Sequence, residues 1–151
     1  MTTSKYKKSM GDRASIIIVD GTKILLMHRI RKEWIKPGGI HESYYCIPGG
    51  TVEDGETAQE TALRELEEET TLTAQLGEVL AAFQNEGRFE TYFLAKSWSG
   101  KPQLSGPELE ITNADNQFIL EWVELAEFKK LRFYPEQLQS KIIEHFQKVI
   151  E

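Results

Sequence analysis

A single cysteine among 151 residues excludes an intrachain disulfide, so no covalent staple contributes to this fold. Cys46 lies in the apolar run Tyr44-Tyr45-Cys46-Ile47 and reads as a small buried hydrophobe, not a nucleophile. Long hydrophobic runs are lacking as well. Ile16 to Val19 ends at Asp20-Gly21, too short for the core of an export signal or for a membrane span. The basic start Lys5-Tyr6-Lys7-Lys8 therefore reads as part of a mobile tail over residues 1–12. With neither disulfides nor an export signal, the expected compartment is the cytoplasm, and no membrane partner is expected. Positive charge is in short supply: eighteen Lys and Arg against twenty-four Asp and Glu leave a net charge of -6. That argues against a nucleic-acid polymer as partner, because phosphate contacts need a basic face. A small phosphorylated substrate stays open, since a bound divalent metal reverses the local field. Repeats, low-complexity tracts and linkers are also missing, so residues 1–151 read as one domain.

What is present alternates between strand and helix patterns. Ser15 to Val19 and Ile24 to Met27 are β-type runs joined by Asp20-Gly21-Thr22-Lys23, a hairpin. Residues 31–43, with Pro37-Gly38-Gly39, read as a loop. A short strand, Tyr44 to Ile47, leads into Pro48-Gly49-Gly50. A helix is expected from Thr57 to Glu69, with Thr57 as N-cap and Glu60 as its capping-box partner. Val79 to Phe83 and Thr91 to Ala95 read as strands connected through Asn85-Glu86-Gly87. Phe118 to Val123 is a further strand. The closing helix starts near Pro135, at a first helical position, with Leu138, Ile142, Phe146, Val149 and Ile150 as its apolar stripe. The pattern is a mixed α/β sandwich: a sheet core between helices.

The chemistry concentrates in Gly49 to Glu56 and Arg64 to Glu69. Glu65, Glu68 and Glu69 are spaced i, i+3 and i+4 and so project from one helix face. Like charges at that spacing weaken a helix by a few tenths of a kcal/mol per pair. They also stand near the helix C-terminus, where the macrodipole disfavours negative charge. Local physics would not choose this arrangement. A hard divalent cation reverses the balance, because Mg²⁺ prefers oxygen ligands. The glycines before the helix let the backbone approach a metal or a phosphate closely. A Glu-rich helix alone is usually a solvated face and a Gly-Gly pair alone is usually a turn. The joint spacing is what discriminates.

That spacing resembles the Nudix box, Gly-x5-Glu-x7-Arg-Glu-U-x-Glu-Glu-x-Gly-U, where U is a bulky aliphatic residue. Gly50, Glu56, Arg64, Glu65, Leu66, Glu68, Glu69 and Leu72 stand at the matching positions. One position departs: Thr71 replaces the final glycine. A β-branched residue resists the positive φ that glycine would allow there, so a different exit turn is expected. The resemblance implies the Nudix α/β fold and a Mg²⁺-dependent hydrolase, with Mn²⁺ as a substitute, cleaving a pyrophosphate bond in a nucleoside diphosphate linked to another group. It implies Glu68, Glu69 and the Gly50 carbonyl as metal ligands. Glu65 would complete the metal shell or act as general base, Arg64 would orient the carboxylates, and Glu56 would anchor the loop. An additional carboxylate is expected from Glu108, Glu110 or Asp115, and spacing does not choose among them. The rival from another class is a nucleotide-sensing module that binds without cleaving; only Thr71 supports it.

Substrate contacts are expected from Arg29 or Arg31 to phosphates, and from Tyr45 and Asn116. Tyr44, Phe83 and Phe118 are stacking candidates that are more often core. His28, His41 and His145 read as ordinary surface or packing residues. Pro48 and Pro102 bracket a stretch without proline, so the downstream proline of ADP-ribose-cleaving relatives is absent. What is left is the MutT-like class acting on nucleoside triphosphates, including oxidised ones. The oligomeric state stays open, with a homodimer as one option.

Overall fold

The computed structural model describes residues 11–31, 35–36, 40–41 and 43–151. The Pro37-Gly38-Gly39 turn and most of the expected tail lie outside the described residues. Asp12 does not belong to a tail. Its side chain accepts the Phe89 N–H at 3.2 Å and its carbonyl accepts the Val52 N–H at 2.8 Å.

Two β-layers make the centre. In the first, β1 (Arg13–Ile17) runs between β7 (Gly49–Thr51) and β9 (Arg88–Ser99), and β8 (Thr73–Asn85) closes the edge. β1 and β9 are parallel, and the other pairings are antiparallel. In the second, β3 (Lys23–Arg31) pairs along its whole length with β10 (Asn116–Glu124). The other side of β3 takes β2 (Val19–Asp20) and then β6 (Tyr44–Cys46). A small two-stranded pair, β4 (Ile35–Lys36) with β5 (Ile40–His41), interrupts the segment expected as loop.

Side-chain alternation sorts the core into two clusters. Ala14, Ile16, Ile18, Leu25 and Phe93 pack with Ala62, Leu66 and Leu72, against helix α1 (Ala58–Thr70). Ile17, Ile24, Leu26 and Tyr92 pack on the other side with Leu125 and Phe128 of α3 (Leu125–Phe128) and with Leu138 and Ile142 of α4 (Glu136–His145). The short α2 (Pro107–Ile111) lies between β9 and β10 in sequence. The expected sandwich of sheet between helices is the observed one. Pro135 sits one position earlier than expected, at the N-cap of α4. The closing stripe is interrupted at Phe146, where the chain restarts as α5 (Gln147–Ile150) and leaves Val149 exposed. No helix among the described residues is long and apolar enough to cross a membrane.

Candidate active site

Helix α1 begins conventionally. Thr57 Oγ1 accepts the Glu60 N–H at 3.1 Å, and Glu60 Oε1 accepts the Thr57 N–H at 2.9 Å, a complete capping box. The loop ahead of it is held by Glu56. Arg64 forks onto that carboxylate, Nε to Oε2 at 2.6 Å and Nη2 to Oε1 at 3.0 Å. The Thr61 hydroxyl and the Glu53 N–H donate to Glu56 Oε1 at 2.7 and 3.1 Å. These donors, Arg64 foremost, hold the Glu56 carboxyl down to about 2. The same guanidinium continues through Nη1 to Glu65 at 2.9 Å and Glu68 at 2.8 Å. These bonds, the one to Glu56 first, raise Arg64's own proton affinity further. One arginine therefore fixes three carboxylates.

The far end of α1 obeys different rules. Glu69 is only 3% exposed and falls on the buried stripe with Ala62 and Leu66. The last turn holds no basic residue. Burial, then the neighbouring charges of Glu108 and Glu65, push the Glu69 carboxyl well above the usual carboxylate range. Glu65 leans on Gly50: a Cβ there would lie 2.2 Å from the Glu65 carboxyl carbon. Glu108 enters from α2, which is docked on the end of α1. The Ser105 N–H donates to the Glu69 carbonyl at 2.9 Å and its hydroxyl to the Glu68 carbonyl. Gly106, at φ 73°, allows this approach, since a Cβ would stand 2.7 Å from the Glu68 carbonyl oxygen. One carboxylate oxygen of Glu108, Oε1, is buried with no hydrogen-bond partner. Burial raises the Glu108 carboxyl too. Glu110 and Asp115 are exposed.

The exit turn is where expectation and structure part. Thr71 adopts φ 64°, the left-handed conformation that was expected to be avoided. Its N–H reaches the Glu67 carbonyl at 3.0 Å and its hydroxyl the Lys101 carbonyl at 3.1 Å. The turn keeps the geometry that suits glycine and accepts the steric cost of a Cβ.

These groups suit a hard cation. The donors are all oxygen: Glu65, Glu69 and Glu108 cluster, one Glu108 oxygen is orphaned, and Gly50 lies against the Glu65 carboxylate. Among the described residues no three side chains already converge as a metal cage. Arg64 keeps Glu65 and Glu68 in its own hydrogen bonds. Mg²⁺ commonly takes only one or two carboxylates and fills its octahedron with water and substrate oxygens, so a complete cage is not required.

A cavity of about 160 Å³ opens at Glu69 and Glu108, with Arg29, Tyr44 and Phe118 on its walls. Arg29 and Phe118 face each other across the β3–β10 ladder, and the guanidinium lies 3.5 Å over the ring. Arg29 donates to the Gln117 carbonyl at 2.6 Å and to Asn116 Oδ1 at 3.0 Å.

The sequence profile of the NUDIX domain matches residues 10–146. The chain belongs to the NUDIX family. The chain is similar to an RNA pyrophosphohydrolase of Novosphingobium aromaticivorans, 31% identical over 64% of this chain and 64% of that one. It is also similar to an ADP-ribose pyrophosphatase of Bacillus subtilis, 35% identical over 54% of this chain. The chain spans less than two thirds of the length of these curated relatives, 64% and 41%. Among solved structures it resembles the E. coli ORF135 protein, with a TM-score of 0.65 at 23% identity over 91% of this chain and 92% of that one. The MutT protein of Bacillus halodurans gives a TM-score of 0.60 at 22% identity over 88% and 80%. These two likenesses concern the NUDIX fold.

Within this NUDIX chain the structure brings together Gly50, Glu56, Arg64, Glu65, Glu68 and Glu69, and adds Glu108 to them. Arg29 lines the cavity, and Asn116 is tied to it. Arg31 ends β3 opposite Asn116, and the described residues around the cavity do not include it. Tyr45 is placed elsewhere. It pairs with His28 on the opposite face from Arg29 and stacks on that imidazole at 4.0 Å. Its neighbour Tyr44 lines the cavity instead. His28 also contacts Glu121 at 2.8 Å and Ser43 at 3.0 Å. His145 packs edge-on against Phe146. The His41 side chain lies outside the described residues. Cys46 borders the cavity, and burial pushes its thiol up to about 11, which leaves it unreactive near neutrality. Arg13 also borders the cavity and was not singled out from the sequence. Its signal was there: an arginine two residues ahead of Ser15 and four ahead of Ile17, on the same inward-facing phase of a strand.

Proposed function

We propose that this NUDIX protein is a Mg²⁺-dependent pyrophosphohydrolase. Its substrate is a nucleoside diphosphate linked to another group, foremost a canonical or oxidised nucleoside triphosphate. The observation that carries this reading is Glu69: a carboxylate buried against Glu65 and Glu108, in the wall of an arginine-bearing cavity that Gly49 also lines. Burying a carboxylate beside two others is costly even with the Arg13 charge nearby, and a strongly shifted group in a cavity is a candidate for ligand binding. Glu68, Glu69 and the Gly50 carbonyl would hold Mg²⁺, with Glu108 as the additional carboxylate, and Glu65 would serve as the general base instead of completing the metal shell. When bound, Mg²⁺ supplies neutralisation of the phosphate charge and polarises the attacked phosphoryl group. Arg64 keeps Glu65 and Glu68 in register. Arg29, braced by Asn116 and Phe118, orients the phosphates. Glu65 takes a proton from the attacking water as its oxygen bonds to phosphorus. The anhydride P–O bond then breaks, and the two phosphate products leave.

The test is phosphate release by the purified chain with Mg²⁺. The panel holds nucleoside triphosphates, oxidised nucleoside triphosphates, ADP-ribose, dinucleoside polyphosphates and 5′-triphosphorylated RNA, with pyrophosphatase or phosphatase as coupling enzyme. Mg²⁺-dependent turnover, strongest for a triphosphate, is the expected result. The RNA arm addresses the relative named an RNA pyrophosphohydrolase. Binding of nucleotides with no turnover of any of them would move the reading to a sensing module.

A further inference from the structure

On the face of β3 opposite to Arg29, away from the carboxylate cavity, three side chains stand as nucleophile, base and orienting acid. His28 is the middle one. Its register partner on β6 is Tyr45, whose ring stacks on the imidazole with centroids 4.0 Å apart and planes 8° from parallel. On the other side β10 places Glu121 two residues beyond Ile119, the register partner of His28, and so on the same face. Glu121 Oε2 lies 2.8 Å from His28 Nδ1, and Ser43 Oγ, just ahead of β6, lies 3.0 Å from Nε2.

The hydrogen bonds fix the roles. A carboxylate accepts, so the ring hydrogen belongs on Nδ1, and Nε2 presents its lone pair to the Ser43 hydroxyl. A base held by one neighbour and aimed at the hydroxyl of another is the relation that activates a serine. Tying β3 to β10 needs only the Glu121 contact. The imidazole is 16% exposed and Ser43 is half-buried, so solvent reaches the site.

We infer that Ser43, His28 and Glu121 form a second reactive centre, independent of the hydrolase reading, which takes acyl groups from activated esters. Ser43 Oγ bonds to the acyl carbon as its proton passes to His28 Nε2. The bond from that carbon to the leaving oxygen breaks, and a phenolate departs. Water then attacks the acyl carbon, giving a proton to Nε2. The Ser43 oxygen leaves and takes that proton back, and the carboxylic acid is released. Esters with a good leaving group suit this centre because they ask only for a base and a nucleophile. Glu121 is a positioning residue that holds the ring and its tautomer.

The test uses the full chain, without divalent metal, and 4-nitrophenyl acetate as probe. Peptide mass spectrometry reads acetylation residue by residue, and absorbance reads nitrophenolate release. Acetate should appear on Ser43 in the wild type. General-base assistance is worth about 10²–10⁴-fold, so His28→Gln should slow that acetylation by about 100-fold or more. Ser43→Ala should remove the matching component of nitrophenolate release. Glu121→Gln should slow it too, and the imidazole nitrogen shifts of His28 should then report a mixed tautomer, which a merely structural contact would not cause in a folded variant. Thermal unfolding identifies the folded variants; if His28→Gln does not fold, Ser43→Ala and Glu121→Gln carry the test. Absence of acetate on Ser43 in the wild type overturns the proposal. So does acetylation that proceeds equally in folded His28→Gln, or nitrophenolate release unchanged in Ser43→Ala, which would make His28 itself the acceptor.

Discussion

Glu56 and Glu69 stand at the two ends of one helix and live under opposite conditions. Glu56 receives four hydrogen bonds from Arg64, Thr61 and Glu53. Glu69 is buried beside two other carboxylates with no cation in its turn. The protein alone pairs the first carboxylate; for the second, whose burial the Arg13 charge offsets only in part, the proposed partner is a bound cation. At the N-terminal end, capping box, dipole and arginine fork agree with one another. At the C-terminal end, charge, dipole and the left-handed Thr71 all oppose folding. Concentrated local conflict of this kind marks a site where stability is given up for function.

The sharpest way to break this contrast is to neutralise Glu69. Glu69→Gln should lower kcat/KM by about 10³-fold, the loss of several kcal/mol of metal-borne stabilisation, while the metal-free protein unfolds at no lower temperature than the wild type. Steady-state kinetics and calorimetry check both halves. Removing Arg64 attacks the other end. Arg64→Ala should cost about 1.5–3 kcal/mol in urea unfolding, from lost bonds to charged groups. It should also cut activity about 10–100-fold, as for a residue that orients ligands.

The two carboxylates should also titrate in opposite senses. Glu56 is held down, so its contribution is present above the ordinary carboxylate pKa and fades as pH falls toward about 2. Glu69 is held up. Without metal, its contribution is complete below the ordinary carboxylate pKa and fades as pH rises toward its raised folded value. Metal-free stability of the wild type should therefore decline from mildly acidic to alkaline pH, and the decline should flatten in Glu69→Gln; chemical denaturation across pH reads this directly. Thr57→Ala removes the cap and should cost about 1 kcal/mol with little change in kcat. Thr71→Gly has the smallest effect. Relief of left-handed strain, offset by glycine's backbone entropy, should leave a gain of about 0.5 kcal/mol in urea unfolding.

Legibility in the sequence followed the range of the interactions. The helix expected at Thr57 to Glu69 is observed at Ala58–Thr70 because its cap and its apolar phase are local signals. The strands at Val79 to Phe83 and Thr91 to Ala95 are only the middles of β8 and β9, which run over Thr73–Asn85 and Arg88–Ser99. Register shifts between Gln75 and Ala81, and the scarcity of fully buried side chains along β8, break the alternation that would disclose its full length. The cluster of box residues could be read because one helix and one loop carry it. Glu108 could not be told from Glu110 and Asp115, since its approach depends on Gly106 closing onto the Glu68 carbonyl. Arg13 is set opposite Glu90 only through the parallel pairing of strands far apart in sequence. Thr71 departs from its steric preference because hydrogen bonds to the Glu67 and Lys101 carbonyls hold it, and these exist only in the folded chain.

On the proposed reading, Glu69 destabilises the fold until a divalent cation arrives. Thermal unfolding of the wild type and of Glu69→Gln at pH 8, each with and without Mg²⁺, tests it most directly. Mg²⁺ should raise the midpoint of the wild type and leave that of Glu69→Gln nearly unmoved. An equal Mg²⁺-dependent rise in both proteins would contradict it, because the cation would then be bound somewhere other than at Glu69.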